Sequence, residues 1–293
     1  MPTTFRRPGI VRGYLAKAVR HPVPRPVARP LRRPLARVFS RTLPVLPALV
    51  ALATLLIAPK TEAAEVSVLT AGAFKPALLE LARTYEAESH DTLAIANDTA
   101  GGVAARIVRG EEADLVILPT AMLDSLAAQG KVMADTVTPV AKSGIGVVMK
   151  AGTPPPDISS VEAFKQTMLA TPSYAYIDPA SGGSSGIYLA KLFDQLGIAA
   201  AIKYKAVLVP GGLVASRVDD GEAVLGLQQI SELREVRGLT FVGPLPAEIQ
   251  NYTVYAAAIP TAARRPKAGR ALLAFLKSEA ASRALAARGL EQP

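Results

Sequence analysis

The chain has 293 residues, half of them hydrophobic, and a formal net charge of +9 at pH 7. This length and hydrophobic fraction are sufficient for at least one large core. The chain contains no cysteine, which excludes disulfide bonds, cysteine-ligated metals and cysteine nucleophiles.

The positive charge is concentrated at the N-terminus. Residues 1–64 carry ten arginines, two lysines and one acidic residue, which leaves 21 basic and 23 acidic residues in the rest of the chain. Because this larger part is nearly neutral, it lacks the basic surface that nucleic-acid binding requires. The sequence therefore predicts no nucleic-acid partner.

The first 63 residues have the order of a leader that contains a signal peptide. Arginines precede an apolar run at 43–58, and small residues follow it up to Ala64. The run is shorter than the roughly 20 apolar residues of a membrane span and is interrupted by Pro47. We expect cleavage near Ala63 and a periplasmic mature protein; an uncleaved anchor is the alternative.

After the leader, strands and helices alternate. Apolar runs at 66–69, 92–96 and 114–118 predict strands, and helical patterns separate them at 76–88, 101–109 and 121–129. Alternation of this kind predicts a parallel sheet with crossover helices.

A second series follows a long strand at 144–149 and the break at Pro154-Pro155-Pro156. Its predicted strands lie at 174–177, 204–209 and 223–228, and its predicted helices at 161–169, 184–196 and 212–220. The chain closes with an extended run at 252–259 and helices at 267–277 and 279–288. Two α/β series joined by two extended segments predict two lobes: residues 64–141 with 256–293 form lobe 1, and residues 142–255 form lobe 2.

The sequence lacks residues that several familiar catalytic and nucleotide-binding motifs require. Gly182 to Gly186 fits G-x-S-x-G with Ser184 in the centre, but a nucleophile elbow needs a later histidine, and His21 and His90 both precede it. No P-loop string occurs, and no G-x-G-x-x-G follows the first strand. His90 alone cannot build a zinc site, so we predict no catalytic residue, metal or cofactor.

Four strand–helix junctions carry small residues: Thr70–Ala73, Thr99–Gly102, Ser184–Gly186 and Pro210–Gly212. Free amides at a helix N-terminus favour anions, and small residues let a ligand approach the backbone. Ordinary caps and turns have the same composition. The residues alone leave both interpretations open.

Certain of these segments resemble a known family. The family is that of the periplasmic molybdate-binding proteins of ABC importers. The segments that resemble it are Asp178-Pro179 followed by Ser185-Gly186-Ile187-Tyr188, the opening Val66–Phe74 and the run Ala113–Ile117. The resemblance implies the type-2 periplasmic binding fold, which is an α/β fold with two lobes, two hinge strands and a ligand cleft between the lobes.

The resemblance also implies a site. The family's serines in the first and second loops correspond to Ala73 and Ala100 here, and its tyrosine to Gln229. The predicted ligand-binding residues are Ala73, Thr99, Ala100, Ser184, Ser185, Gly211, Gly212 and Gln229. Asp98 adjoins the second loop, where an unpaired carboxylate would repel a bound anion. We expect instead that Asp98 caps the Gly101–Arg109 helix. Because these hydroxyl groups are missing, the expected ligand is either a molybdate-like oxyanion or a different anion such as a small organic acid.

The main functional prediction is therefore a monomeric solute-binding protein that delivers a small anion to an ABC permease in the inner membrane. A binding protein that serves a sensor is a further reading. The main alternative is an isomerase of a small polycarboxylate, because the fold is also similar to a periplasmic aconitate isomerase. That reaction needs a base, for which Asp98 and Asp178 are candidates, and cations, for which Lys75 and Arg106 are candidates. The expectation is that the protein binds its anion without turnover.

Overall fold

The computed structural model describes residues 63–293, and the predicted leader lies outside them. The strands are β1 (Glu65–Ala71), β2 (Thr92–Asp98), β3 (Leu115–Pro119), β4 (Thr138–Ser143), β5 (Ile145–Lys150), β6 (Tyr174–Ile177), β7 (Ala206–Val209), β8 (Leu225–Gln229), β9 (Leu239–Pro244) and β10 (Thr253–Ala258). The α-helices are α1 (Lys75–Ser89), α2 (Ala100–Val108), α3 (Thr120–Ala128), α4 (Val161–Ala170), α5 (Ser184–Gln195), α6 (Ala199–Ile202), α7 (Val214–Asp219), α8 (Ile230–Leu233), α9 (Pro266–Leu276) and α10 (Glu279–Ala287).

The strands form two sheets, and each sheet is the centre of one lobe. The order is β2-β1-β3-β10-β4 in lobe 1 and β7-β6-β8-β5-β9 in lobe 2. In each sheet three neighbouring strands are parallel, and one long strand, β10 or β5, runs antiparallel to them. The predicted two-lobe α/β architecture is confirmed. The bounds of the lobes along the chain remain a prediction.

The central strands of both sheets are buried on both faces, because helices cover them. In β3, Leu115, Ile117 and Leu118 are fully buried. This explains why such strands read as continuous apolar runs in the sequence. In lobe 2, Tyr174 and Tyr176 stack at 5.7 Å between ring centroids, and the ring of Phe193 on α5 meets both edge-on.

Two strands, β4 and β9, were not predicted from the sequence pattern. Both lie at the edge of their sheet. Each contains a proline, Pro139 or Pro244, and Gly243 precedes the second. Proline lacks the N–H that a central strand must donate, so it is tolerated mainly at edges and weakens the sequence signal for a strand.

Two segments of the chain connect the lobes, and these two segments are hydrogen-bonded to each other. β4 passes through Gly144 directly into β5, and the chain returns through Gln250 into β10. The side chain of Gln250 accepts from the Ile145 amide at 2.8 Å and donates to the Ile145 carbonyl oxygen at 2.9 Å. A β-carbon on Gly144 would lie 3.1 Å from the Gln250 amide group, so glycine permits this close pairing. Across residues 63–293, no helix is both long enough and apolar enough to span a membrane.

Candidate functional site

A cavity of about 450 Å³ lies between the two lobes. Its walls come from the loops that follow β1 and β2 in lobe 1 and β6, β7 and β8 in lobe 2. These loops lie at the carboxyl ends of parallel strands, where α/β folds place their ligand sites. The volume is sufficient for a small organic ligand.

The eight residues predicted to bind ligand all line this one cavity: Ala73, Thr99, Ala100, Ser184, Ser185, Gly211, Gly212 and Gln229. The structure thus brings together residues from four loops and from the end of β8, in two lobes. Their role in binding stays a prediction.

Ser184 is oriented by its neighbours. The buried side chain of Gln229 donates from Nε2 to Ser184 Oγ at 3.1 Å and lies 3.4 Å from Thr253 Oγ1. A hydroxyl group rotates, so Ser184 can direct its proton either to the Tyr255 oxygen or to a ligand in the cavity. Gln229, at the position where the resembled family has a tyrosine, lines the cavity itself and also contacts Ser184.

Thr99 joins the lobes at the edge of the cavity. Its Oγ1 accepts from the Gly102 amide at 3.1 Å, which caps α2, and donates to the Ser181 carbonyl oxygen at 2.6 Å. The Gly101 amide donates to the Gly182 carbonyl oxygen at 3.0 Å. Lobe 1 and lobe 2 are therefore hydrogen-bonded to each other beside the cavity.

Asp98 does not cap the helix as expected; Thr99 does. The Asp98 carboxylate accepts from the Thr99 amide at 2.7 Å. It lies over Gly102, where a β-carbon would come within 2.5 Å of Asp98 Cγ. A carboxylate at the start of α2 is favoured by the helix dipole, and Asp98 is exposed and lines the cavity.

The other charged candidates differ in whether they line the cavity. Asp178 lies outside the cavity lining, and its carboxylate accepts from the Ala180 amide at 2.9 Å in the turn after β6. Arg106 also lies outside the lining and pairs with Glu111 at 2.5 Å. Lys75, at the start of α1, lines the cavity and forms no ion pair with any residue in 63–293.

The sequence analysis missed Glu232, which lies on α8 directly after β8. It lines the cavity and is 7 % exposed. Its carboxyl reaches from lobe 2 to lobe 1, where a β-carbon on Gly72 would lie 2.7 Å from Glu232 Oε1. Burial raises the pKa of Glu232 to about 8, although a hydrogen bond with Gln228 lowers this pKa in part. In the sequence, Glu232 precedes Leu233-Arg234-Glu235 and resembles an ordinary surface charge, so no local signal indicates its burial.

Tyr255 completes the floor of the cavity from β10. It is 1 % exposed. Burial raises its pKa above the usual tyrosine value, and the nearby Glu232 carboxylate raises it further, whereas hydrogen bonds with Ser184 and Thr253 lower it. The Tyr255 hydroxyl therefore stays protonated and is a neutral hydrogen-bond donor.

The cavity combines donors for an anion with one buried proton-transfer group. Ser184 and Lys75 can donate to carboxylate or other oxyanion groups, and Glu232 can accept or return a proton near neutral pH. Within residues 63–293, no cluster of three or more histidine or acidic side chains is arranged to hold a metal ion.

The fold is similar to those of known proteins. Among solved structures, the fold is similar to the periplasmic molybdate-binding protein of Azotobacter vinelandii, with a TM-score of 0.65 and 19 % identity, covering 78 % of this chain and 99 % of that one. It is also similar to the sulfate-binding protein of Mycobacterium tuberculosis, with a TM-score of 0.64 and 14 % identity, covering 78 % of this chain and 87 % of that one.

A curated relative is more similar in sequence. Aconitate isomerase from a Pseudomonas species is 36 % identical over 258 residues, which cover 85 % of this chain and 97 % of the relative. The profile of the family described as bacterial extracellular solute-binding protein matches residues 66–291. The chain therefore belongs to the family of bacterial extracellular solute-binding proteins.

Proposed function

We propose that this protein is an isomerase of a small polycarboxylate, of the aconitate isomerase type, built on the solute-binding fold. The observation that carries the proposal is Glu232, a carboxyl that is 7 % exposed, lines the cleft and has a pKa raised to about 8. The sequence favours a binding protein because it offers only Asp98 and Asp178 as bases. Glu232 lies in the cavity, and its pKa near neutrality suits general acid–base catalysis.

The chemistry of aconitate isomerisation requires one such group. Aconitate carries a CH₂ group next to a carbon–carbon double bond. A base removes a proton from the CH₂ carbon, and the electron pair of the broken C–H bond spreads over the three-carbon allyl system. Return of the proton to the far carbon moves the double bond, and the new double bond is formed as either the cis or the trans isomer. We assign both proton transfers to Glu232.

The remaining cavity residues suit the carboxylates of such a substrate. Lys75 supplies positive charge, and Ser184 supplies a hydroxyl group that can donate. Tyr255 lies near Glu232 and provides a neutral donor for charge that develops on the substrate during proton removal. The similarity to aconitate isomerase over most of both chains supports the same substrate class.

The experiment that tests the proposal follows cis-aconitate and trans-aconitate by proton NMR with the purified protein. We expect interconversion by the wild type and a loss of at least about 100-fold in Glu232→Gln, the range that general acid–base catalysis contributes. Glu248→Gln makes the same chemical change at an exposed position outside the cavity lining and should retain activity. Interconversion that persists in Glu232→Gln would exclude the assigned base, and a wild type without interconversion would exclude the enzyme.

The second candidate is a binding protein that delivers a small anion to an ABC permease in the inner membrane. The row of small and hydroxyl-bearing residues at the starts of α1, α2 and α5 favours it. Binding of an oxyanion or an organic acid without turnover, measured by thermal shift, would support this candidate. A ligand at 100 times its Kd should stabilise the fold by about 2.7 kcal/mol.

In either case we propose an exported, monomeric protein whose leader is cleaved near Ala63. The family description supports a location outside the cytoplasm. N-terminal sequencing of the exported protein should give Ala64 or Glu65 as the first residue. A mature protein that retains residues 43–58 would contradict the cleavage.

A further inference from the structure

The carboxyl of Glu232 is buried without a cation in contact with it. Within residues 63–293 it forms no ion pair, and it is 7 % exposed. It is enclosed by the backbone at Gly72 from lobe 1, while Gln228 and Tyr255 lie beside it. A buried carboxyl without a cation is more stable with its proton than without it.

The charged groups around Glu232 do not compensate for an added anion. Asp98, at the end of β2, lines the same cavity, and so does Glu235, which pairs with Arg288 at 3.0 Å. Lys75 on α1 is the cation among the lining residues. Apart from Glu232 itself and the Glu235–Arg288 pair, the lining thus offers one negative group, Asp98, and one positive group, Lys75, before any ligand enters.

The elements that pack against α8 include β5, α7, α1 and the turn Gly72–Phe74. On α1, Lys75 lines the cavity, and Glu80 is exposed and pairs with Arg288 at 2.5 Å. On β5 the charged residue is Lys150, at its exposed end. On α7, Arg217 pairs with Glu222 at 2.9 Å and Asp219 is exposed. The turn Gly72–Phe74 carries no charged residue.

A polycarboxylate would bring two or three negative charges into this cavity. Ionised Glu232 would repel them, since charges in a cavity shielded from water interact more strongly than in bulk water. A protonated Glu232 removes this repulsion and donates a strong hydrogen bond to a ligand carboxylate. Binding of the ligand and binding of the proton therefore favour each other.

We propose that a polycarboxylate binds in this cleft together with one proton, which is shared between Glu232 and a carboxyl group of the ligand. The inference rests on the proposed function for the class of ligand. It makes a measurable claim about binding that does not depend on turnover.

The shared proton also serves the proposed reaction. When it resides on the ligand carboxyl, Glu232 is ionised and can act as the base. A neutral carboxyl group also withdraws electrons from the neighbouring carbon better than a carboxylate does, which makes the C–H proton easier to remove. The proton from carbon passes to Glu232 and returns to the far carbon, so the reaction itself consumes no proton, and the shared proton leaves with the product.

The test uses tricarballylate, the saturated analogue of aconitate, which has no double bond to move. Isothermal titration calorimetry at about pH 9, in two buffers with different ionisation enthalpies, measures the protons taken up per bound ligand. We expect between about half and one proton for the wild type, because the free carboxyl has a pKa of about 8 and is largely ionised at that pH. Affinity should fall by up to about tenfold per pH unit above about pH 8 and should be nearly constant below it.

The Glu232→Gln variant should bind with an uptake near zero and little dependence on pH, whereas Glu248→Gln should behave as the wild type. A wild type without proton uptake, or uptake retained in Glu232→Gln, would overturn the inference. The pH series on the wild type alone is decisive if the variant does not fold. Uptake by a protein that does not isomerise aconitate would support this inference and overturn the proposed enzyme, and isomerisation without uptake would do the reverse. Failure of tricarballylate and both aconitates to bind would overturn both.

Discussion

Gly101 in lobe 1 and Gly182 in lobe 2 meet backbone to backbone at the edge of the cleft. The Gly101 amide donates to the Gly182 carbonyl oxygen at 3.0 Å, and a β-carbon on Gly101 would lie 2.9 Å from the Gly182 α-carbon. Gly182 has a φ of 77°, a conformation that favours glycine. This contact depends on the absence of a side chain on both residues.

The first prediction follows from this contact. In Gly101→Ala, the new methyl group should push the lobes apart and break the hydrogen bonds from Gly101 and Thr99 to lobe 2. Two such bonds contribute about 1–3 kcal/mol, so affinity for the bound polycarboxylate should fall by about 5-fold to 150-fold. Calorimetry measures this, with Val108→Ala, an exposed change on the same helix, as the control. Unchanged affinity in Gly101→Ala would show that this contact between the lobes does not contribute to ligand binding.

The second prediction concerns the room that Gly72 leaves for Glu232. In Gly72→Ala the new methyl group would lie 2.7 Å from Glu232 Oε1, so the carboxyl has to move. The carboxyl is the end of a flexible side chain, so we expect the fold to survive with a small change in Tm. Aconitate turnover should fall at least about tenfold, because small displacements of a catalytic group are costly. Wild-type turnover in this variant would argue against Glu232 as the base.

The third prediction concerns stability and pH. The pKa of Glu232 is about 8 in the folded protein and about 4.5 when unfolded, so the folded state binds its proton more tightly. The contribution of Glu232 to the free energy of unfolding should therefore decrease as the pH rises from about 4.5 to about 8, and it should stay level above that. Glu232→Gln removes this dependence.

Thermal unfolding at about pH 5 and about pH 8.5 measures the effect. The Tm of Glu232→Gln relative to the wild type should be higher at the alkaline pH than at the acidic pH. A Tm difference that is equal at both values would show that Glu232 titrates normally in the folded protein.

The fourth prediction separates the two cations that the sequence offered. Lys75 lines the cavity, and Arg106 is paired with Glu111 outside it. Lys75→Met should raise the KM for aconitate by at least about tenfold, because a hydrogen bond to a charged group contributes about 1.5–3 kcal/mol. Arg106→Met should leave KM within about twofold of the wild type, since exposed ion pairs contribute little. The opposite ranking of the two variants would mean that the substrate binds elsewhere.

Local patterns identified most of the fold. The alternation of apolar strands and helices depends on residues close in the chain, and it predicted the two α/β series and both lobes. β4 and β9 escaped because an edge strand needs neither a continuous apolar run nor a full set of N–H donors, and each of them contains proline.

The sequence by itself determined the two-lobe architecture and the small-residue loops that meet at the cleft, because periodicity, turn residues and helix starts are local properties. It could not decide which charged residues face the ligand. Asp178 and Arg106 are engaged in local contacts outside the cavity, whereas Lys75 and Glu232 line it. Burial raises the pKa of Glu232, and two residues beside its carboxyl, Gly72 and Tyr255, lie far from it in the chain. Only the packing of one lobe against the other excludes water from this carboxyl, so only the tertiary structure decides that its proton is held near neutral pH.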